Sequence, residues 1–346
     1  MAVEATRIEP GPLTTDPGRG AGPTEAMAVG AGRSWWSRYR LPYLYILPAA
    51  AVLAVITLYP IGYEIYLSFT NFTTKSLRSG DADWVGLRNY ERIFRNQVPL
   101  SDFNFWRILG FNFIWTIANV TLHVVIGVAV ALLLNRRRIY FRKFFRAIFV
   151  IPWALPPLVA ATVWKNMFDT RFGAINLSLA ELGLKSDIKW LEPTSDPISF
   201  LPILPLAFFA VLIANVWLGW PFNMVVASAA LQSIPSDLYE AARIDGASRW
   251  RQFWDITAPL LRPAMIPAIM YGTILTFNQF NVIYFITAGG PLGKTEILVT
   301  QAFKLVNPAG LYGVAAAFSI LVFFVLLLLT LAQNKIVKGV EGYSNV

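Results

Sequence analysis

Six long apolar stretches dominate this sequence and leave little choice of architecture. A helix needs roughly 20 apolar residues, each rising about 1.5 Å, to cross about 30 Å of hydrocarbon. The stretches lie near residues 43–69, 110–134, 145–167, 203–231, 263–288 and 313–333. Because lipid cannot hydrogen-bond a backbone, each stretch is predicted to be a helix. The sequence therefore predicts an all-α membrane protein with six transmembrane helices.

The composition agrees with this class and excludes several others. Of 346 residues, 56% are hydrophobic and 14% are charged, whereas about a quarter are charged in an ordinary soluble domain. The chain has no cysteine, which excludes disulfides and thiolate metal sites, and His123 is its single histidine. We therefore predict no metal site, no cofactor and no catalytic residue in this chain.

The charges of the loops predict an orientation in the membrane. The loop 135–146 carries six basic residues and no acidic one, and short loops of this kind remain cytoplasmic. An even number of spans then places both termini in the cytoplasm. The loop 70–109 fits the rule poorly, because it is predicted to lie outside and also carries six basic residues.

Three parts are predicted along the chain. Residues 1–34 are rich in Gly, Pro, Thr and Ala without periodicity, and we interpret them as a disordered cytoplasmic tail. Residues 35–338 form the transmembrane domain, and residues 339–346 form a C-terminal tail. By the count of spans, the loop 232–262 between spans four and five faces the cytoplasm.

This loop, 232–262, has the pattern of two short helices joined at a glycine. The serines and proline within 233–236 can begin the first helix, because serine caps free backbone amides and proline fits a first turn. Gly246 can end that helix, and Ser248 can cap a second helix that ends before Pro259. Small apolar residues and charges share the first helix, which favours contact with another protein over a plain solvated loop.

Two segments of this loop, "EAARIDGA" and the later "ITAPLLRP", resemble the EAA motif of ABC-importer permease subunits. Further segments, such as "VIPWALPPLVAATVWKNMFD" and "ANVWLGWPFNM", are similar to the maltose-type larger permease of the carbohydrate-uptake family. The resemblance implies the ABC type I importer permease fold, with a coupling helix that docks into a cytoplasmic ATPase. It places the coupling contacts on Glu240, Ala241, Ala242, Asp245, Gly246 and Pro259.

Aromatic, amide and hydroxyl side chains in spans three to five are the candidate substrate contacts. Amides exchange hydrogen bonds with hydroxyls, and aromatic faces stack on the C–H surface of a sugar. The same polar groups can instead hold neighbouring helices together. The resemblance to maltose-type permeases implies a sugar site at Trp153, Asn215, Leu218, Gly219, Phe222, Thr276, Gln279 and Asn281. Trp153 and Phe222 stand where the maltose permease has tyrosines, so another glucoside or oligosaccharide stays open.

The resemblance also implies the partners and the location. A second homologous permease, two copies of a cytoplasmic ABC ATPase and an extracytoplasmic sugar-binding protein are expected, with ATP-Mg held by the ATPase. The complex is expected in the bacterial cytoplasmic (inner) membrane, in contact with lipid and not with nucleic acid. The segment "AGGPLGKT" (288–295) matches a relaxed phosphate-loop pattern, but it follows an apolar span and contains Pro291. We interpret it as a chance match.

Three alternative functions stay open at this point. One is a permease for another solute, such as a glycerol-phosphate ester. An ion-coupled sugar carrier would need ionisable groups within its spans, where only Glu64 and His123 lie away from the span ends. A membrane glycosyltransferase would need clustered catalytic groups, whereas the outer-loop acids are dispersed: Asp81, Asp83, Asp187 and Asp196.

Overall fold

The computed structural model describes the chain over three ranges, 35–136, 139–193 and 204–342. Every regular element within these ranges is a helix, so the prediction of an all-α protein is confirmed. The predicted tail 1–34 lies outside the described residues, as do residues 343–346 of the predicted C-terminal tail. The remaining part of that tail continues the last helix.

The residues as far as Pro60 form a first unit. It contains α1 (Trp35–Leu53), a π-helical turn (Ala54–Leu58) and the first residues of α2 (Tyr59–Ser68). Pro60 has no N–H to donate to the carbonyl of Ile56, four residues earlier. The wider π turn lies at this position and accommodates the missing hydrogen bond.

The second unit begins at Ile61 and contains the remaining helices. These are α3 (Ser76–Ser79), α4 (Arg88–Phe94), α5 (Phe105–Leu134), α6 (Arg142–Ala154), α7 (Pro157–Met167), α8 (Ala174–Glu181), α9 (Leu206–Gln232), α10 (Ser236–Ile244), α11 (Arg249–Gln252), α12 (Ala258–Phe277), α13 (Phe280–Thr287), α14 (Leu298–Val306) and α15 (Tyr312–Gly342). A second π turn, Phe253–Thr257, joins α11 to α12. The sequence predicts only loops where α3, α4, α8 and α14 lie, because helices this short leave little periodic signal.

Five helical stretches are long and apolar enough to cross a membrane, and the bent pair α6–α7 can supply a sixth. The five are Leu41–Ser68, Phe105–Leu134, Leu206–Gln232, Arg249–Thr287 and Tyr312–Lys335. They coincide with predicted spans one, two, four, five and six, apart from the ends. The largest difference is span five, which begins well before the predicted residue 263.

The third predicted span, 145–167, is not one straight helix. Helix α6 ends at Ala154 and α7 begins at Pro157, and their axes differ by 92°. Leu155 and Pro156 between them have ψ angles of 141° and 126°. Each of these two residues precedes a proline, which disfavours the helical conformation, so the "LPP" sequence breaks the span.

Helices α5 and α9 pack against each other along the middle of the second unit. The buried side of α9 is lined by the small residues Ala207, Ala210, Ala214 and Ala227. On α5, Gly127 approaches α9 so closely that a Cβ atom there would lie 2.8 Å from the Met224 backbone nitrogen and 2.9 Å from the Trp220 carbonyl oxygen. Close packing of small residues holds transmembrane helices together, because lipid tails are as apolar as the side chains they replace.

Candidate functional site

The elbow, residues 235–257, consists of α10, a glycine turn and the start of span five. The φ angle of Gly246 is +76°. Its N–H donates to the Arg243 carbonyl at 3.1 Å, and the Ala247 N–H donates to the Ala242 carbonyl at 2.8 Å. These two bonds form a Schellman closure, which requires a left-handed residue between them. The predicted helix end at Gly246 is confirmed.

The second helix of the elbow begins as predicted but does not end as predicted. The Ser248 hydroxyl accepts a hydrogen bond from the Arg251 N–H at 3.3 Å, which confirms the predicted cap. The predicted end before Pro259 is wrong, because α11 continues through the π turn into α12. Pro259 lies in the first turn of α12 and cannot donate to the carbonyl of Asp255, which lies within the π turn. Span five is therefore a continuation of the elbow.

Two hydrogen bonds attach α10 and its glycine turn to the base of span five. The Tyr239 hydroxyl lies 3.0 Å from the Thr257 hydroxyl, which is buried. The Gln252 amide donates to the Ala247 carbonyl at 2.8 Å. These residues were not among the predicted site residues, since a side chain that bonds across a turn leaves no periodic signal. Both bonds lie within the elbow and tie α10 and its glycine turn to the segment that continues into α12.

Replacing Tyr239 with phenylalanine is expected to loosen α10 without unfolding the protein. The change keeps the ring and removes one hydrogen bond, worth about 0.5–1.5 kcal/mol. Hydrogen–deuterium exchange of the α10 amides should then become several-fold faster. Tyr271→Phe is the matched control, since among the described residues its hydroxyl forms no hydrogen bond. Equal α10 exchange in Y239F and the wild type would show that this bond does not hold the elbow.

The predicted coupling residues of α10 and its glycine turn are mostly accessible, whereas Pro259 lies beyond the elbow in α12. The Glu240 carboxylate is 3.7 Å from the Arg243 guanidinium, but both side chains are more than half exposed, so this pair contributes little stability. Ile244, which the sequence reading did not select, is 86% exposed on the same helix. Four of the coupling residues are exposed, namely Glu240, Ala241, Asp245 and Gly246. The other two, Ala242 and Pro259, are half-buried.

A row of three amides crosses the membrane domain from span two to span five. The Asn215 amide nitrogen donates to the Asn119 side-chain oxygen at 2.7 Å, and Gln279 donates to the Asn215 side-chain oxygen at 3.0 Å. His123 Nε2 donates to the Asn215 carbonyl at 3.0 Å. Gly219 lies against the same imidazole, where a Cβ atom would clash with the ring. Asn119 also donates to the Trp115 carbonyl on its own helix at 2.8 Å, and it was not predicted because its partner in the row lies on another helix.

Gln279 reaches this row because span five is broken beside it. Helix α12 ends at Phe277 and α13 begins at Phe280, and the Thr276 carbonyl beside the break accepts from the Gln279 N–H at 3.2 Å. Side chains of α5 bond the carbonyls at this break as well. The Trp115 indole donates to the Thr276 carbonyl at 3.1 Å, and the Asn112 amide donates to the Phe277 carbonyl at 3.2 Å. Broken helices persist within a membrane only where the protein satisfies the freed groups in this way.

Three aromatic rings lie beside one another on spans three, four and five. The ring centroids of Trp153 and Phe222 are 5.8 Å apart, and those of Phe222 and Tyr271 are 5.9 Å apart. Trp153 and Tyr271 are each more than half exposed. Phe222 follows Asn215 by seven residues on α9, so the aromatic group and the amide row share one face of that helix. Tyr271 was not among the predicted substrate contacts.

The structure therefore brings together part of the predicted substrate set. The side chains of Asn215 and Gln279 bond each other, and the rings of Trp153 and Phe222 lie beside each other. Leu218 and Thr276 are buried, while Asn281 is half-buried and its side chain forms no hydrogen bond among the described residues. The segment "AGGPLGKT" follows helix α13 and no strand, which agrees with a chance match.

Comparison with known proteins adds the family. Residues 123–341 match the family described as binding-protein-dependent transport system inner membrane component. The trehalose/maltose transport system permease protein of Thermococcus litoralis is 38% identical over 86% of this chain and 93% of its own length. The galactooligosaccharides transport system permease protein of Bacillus subtilis is 34% identical over 86% of this chain and 70% of its own length. The diacetylchitobiose uptake system permease protein of Streptomyces coelicolor is 33% identical over 99% of both chains.

A solved structure agrees in fold. One chain of a bacterial ABC transporter involved in the import of the acidic polysaccharide alginate superposes with a TM-score of 0.68. It covers 87% of this chain and 96% of its own length at 21% identity. At that identity the likeness concerns the fold alone.

The apolar spans, the broken helices and the elbow thus define a multi-pass membrane transport subunit. The chain belongs to the family of binding-protein-dependent transport system inner membrane components, and it is a permease subunit of an ABC importer. The predicted resemblance and the predicted fold class are confirmed. The same family membership removes the ion-coupled carrier and the glycosyltransferase from the alternatives.

Proposed function

We propose that this permease carries a neutral disaccharide or oligosaccharide into the cytoplasm. The observation that carries the proposal is the pairing of an uncharged amide row with an accessible aromatic group on one face of α9. Sugars need this combination, because hydroxyls require both donors and acceptors and the C–H faces require apolar surface. A glycerol-phosphate ester would need cationic partners, and the amide row and the aromatic group contain no lysine or arginine.

The names of the relatives support a carbohydrate substrate. Those proteins are described as permeases for trehalose/maltose, galactooligosaccharides and diacetylchitobiose. The sugars in these names differ in their units and linkages, and all of them bear hydroxyl groups. The substrate of this chain is accordingly proposed by class, and the uptake panel described below identifies the individual sugar.

The proposed complex has four further subunits. A second homologous permease completes the pathway, two cytoplasmic ABC ATPases bind ATP-Mg, and an extracytoplasmic protein delivers the sugar. A solved alginate transporter in complex with its pentasaccharide-bound periplasmic protein supports the last assignment. The basic loop 135–146 supports a cytoplasmic position for the elbow and for both termini.

The elbow is proposed to receive the motion of the ATPase through Glu240, Ala241, Ala242, Asp245 and Gly246. The bond from Tyr239 to Thr257 transmits this motion to α12. With 20 residues, α12 extends about 30 Å and ends at the break beside Gln279. Displacement of the elbow therefore acts on the amide row. Because coupling is reciprocal, the sugar-loaded extracytoplasmic binding protein must favour the same state of the permease that ATP favours.

Replacing Gln279 with alanine tests the substrate site. The change removes one donor of the amide row, and we expect uptake of labelled di- and oligosaccharides to fall about tenfold or to change its order of preference. The measurement uses the reconstituted complex and a panel of sugars. Asn278→Ala is the control, because that amide bonds the carbonyl of Ile274 on its own helix.

A different result would contradict the substrate role of Gln279. Uptake by Q279A that matches the wild type for every sugar, with a lowered melting temperature, would assign Gln279 to helix packing. Retained binding of the ATPase in both variants shows that the elbow is intact.

A further inference from the structure

A cavity of about 900 Å³ opens between the elbow and the ends of the membrane helices. Arg136 follows the end of α5, Arg142 begins α6, and Gln232 ends α9. The opposite side is formed by the elbow, including Tyr239 and Arg249. The cavity therefore connects the ends of the spans with the segment that is proposed to move.

The charged side chains that line this cavity are mostly positive. Four arginines line it, Arg136, Arg142, Arg243 and Arg249, against the single carboxylate of Glu240. Arg243 pairs loosely with that carboxylate, and the other three form no ion pair among the residues that the structure describes. One carboxylate cannot balance four guanidinium groups, so the lining carries excess positive charge that an anion with several oxygens would neutralise.

We propose that this cavity binds a phosphate-bearing anion. Guanidinium groups match phosphate oxygens in pairs, and Arg136, Arg142 and Arg249 line the cavity without an ion-pair partner among the described residues. Two sources share this chemistry, the headgroup of an anionic phospholipid and a soluble phosphate. The headgroup is favoured by position, because Arg136 and Arg142 stand where two apolar helices leave the bilayer. A bound anion would bridge the elbow to the span ends and hold it in one position.

The experiment uses the purified full-length chain in detergent. Native mass spectrometry measures retention of added phosphatidylglycerol and of phosphatidylcholine, and calorimetry measures binding of inorganic pyrophosphate. The variant R142Q/R249Q removes two cavity arginines. The matched control R78Q/R171Q removes the same charge from two exposed positions outside the cavity lining.

We expect the wild type to retain phosphatidylglycerol over phosphatidylcholine, and R142Q/R249Q to lose at least about tenfold in that affinity while the control keeps it. Binding of lipid without pyrophosphate identifies a headgroup site, and saturable binding of pyrophosphate identifies a soluble phosphate. Equal affinities in the cavity variant and the control overturn the proposal. So does a variant that keeps both ligands and loses only its ATPase, because the arginines would then serve a protein interface.

Thermal unfolding of each variant shows whether it is folded. Should R142Q/R249Q unfold, the single variant R249Q is measured instead, since Arg249 is exposed on the elbow. The proposal does not depend on the sugar assignment, because normal uptake selectivity and loss of anion binding are separate measurements.

Discussion

Valine in place of Gly246 is expected to lower sugar uptake by the reconstituted complex about tenfold or more, while ATP hydrolysis continues. Nothing lies within 4 Å of the position that a Cβ atom would take, so no clash is involved. The effect comes from the φ angle of +76°, which costs an ordinary residue about 1–2 kcal/mol and a β-branched residue more. Escape from that conformation breaks the Schellman closure and redirects α10.

Asparagine at the same position provides the matched control. Asparagine tolerates the left-handed conformation. Gly246→Asn should therefore retain most of the uptake, although asparagine, like valine, adds a side chain at this position. The ratio of sugar transported to ATP hydrolysed is the decisive quantity. A normal ratio in G246V would mean that the geometry of the elbow does not couple the two processes.

Leucine in place of Gly127 is expected to lower the melting temperature of the protein by several degrees. A Cβ atom there would lie 2.7 Å from the Asn223 Cβ atom and within 2.9 Å of two backbone atoms of α9. Backbone atoms in a packed helix pair cannot move aside as a flexible side chain can. Overpacking of this kind costs about 1–3 kcal/mol and more where the added group is large.

Gly110→Leu is the control for this change, because it lies on the same helix and a Cβ atom there meets nothing within 4 Å. It adds the same volume on α5 without approaching α9. Melting followed by tryptophan fluorescence should therefore separate the two variants. Equal melting temperatures for G127L and G110L would show that close contact between α5 and α9 at Gly127 does not contribute to stability.

The membrane class, most spans and the elbow could be predicted from the sequence because each depends on local properties. Hydropathy over about 20 residues decides whether a segment leaves water, and lipid then imposes the helix. The end of α10 was predictable for a similar reason, since Gly246 alone provides the left-handed conformation at that point. The prolines at positions 156 and 157 break the third span, but no local pattern gives the angle of that break.

Contacts between distant segments were decided only by the tertiary structure. Asn119 and Asn215 are 96 residues apart in sequence, and Asn215 and Gln279 are 64 residues apart, yet their amides bond directly. At the break in span five, side chains of α5 bond the carbonyls of Thr276 and Phe277. No local period encodes such a pairing, since a polar residue in an apolar helix can face any neighbour. Packing of the helices chooses the partner, because an unsatisfied amide in lipid is costly.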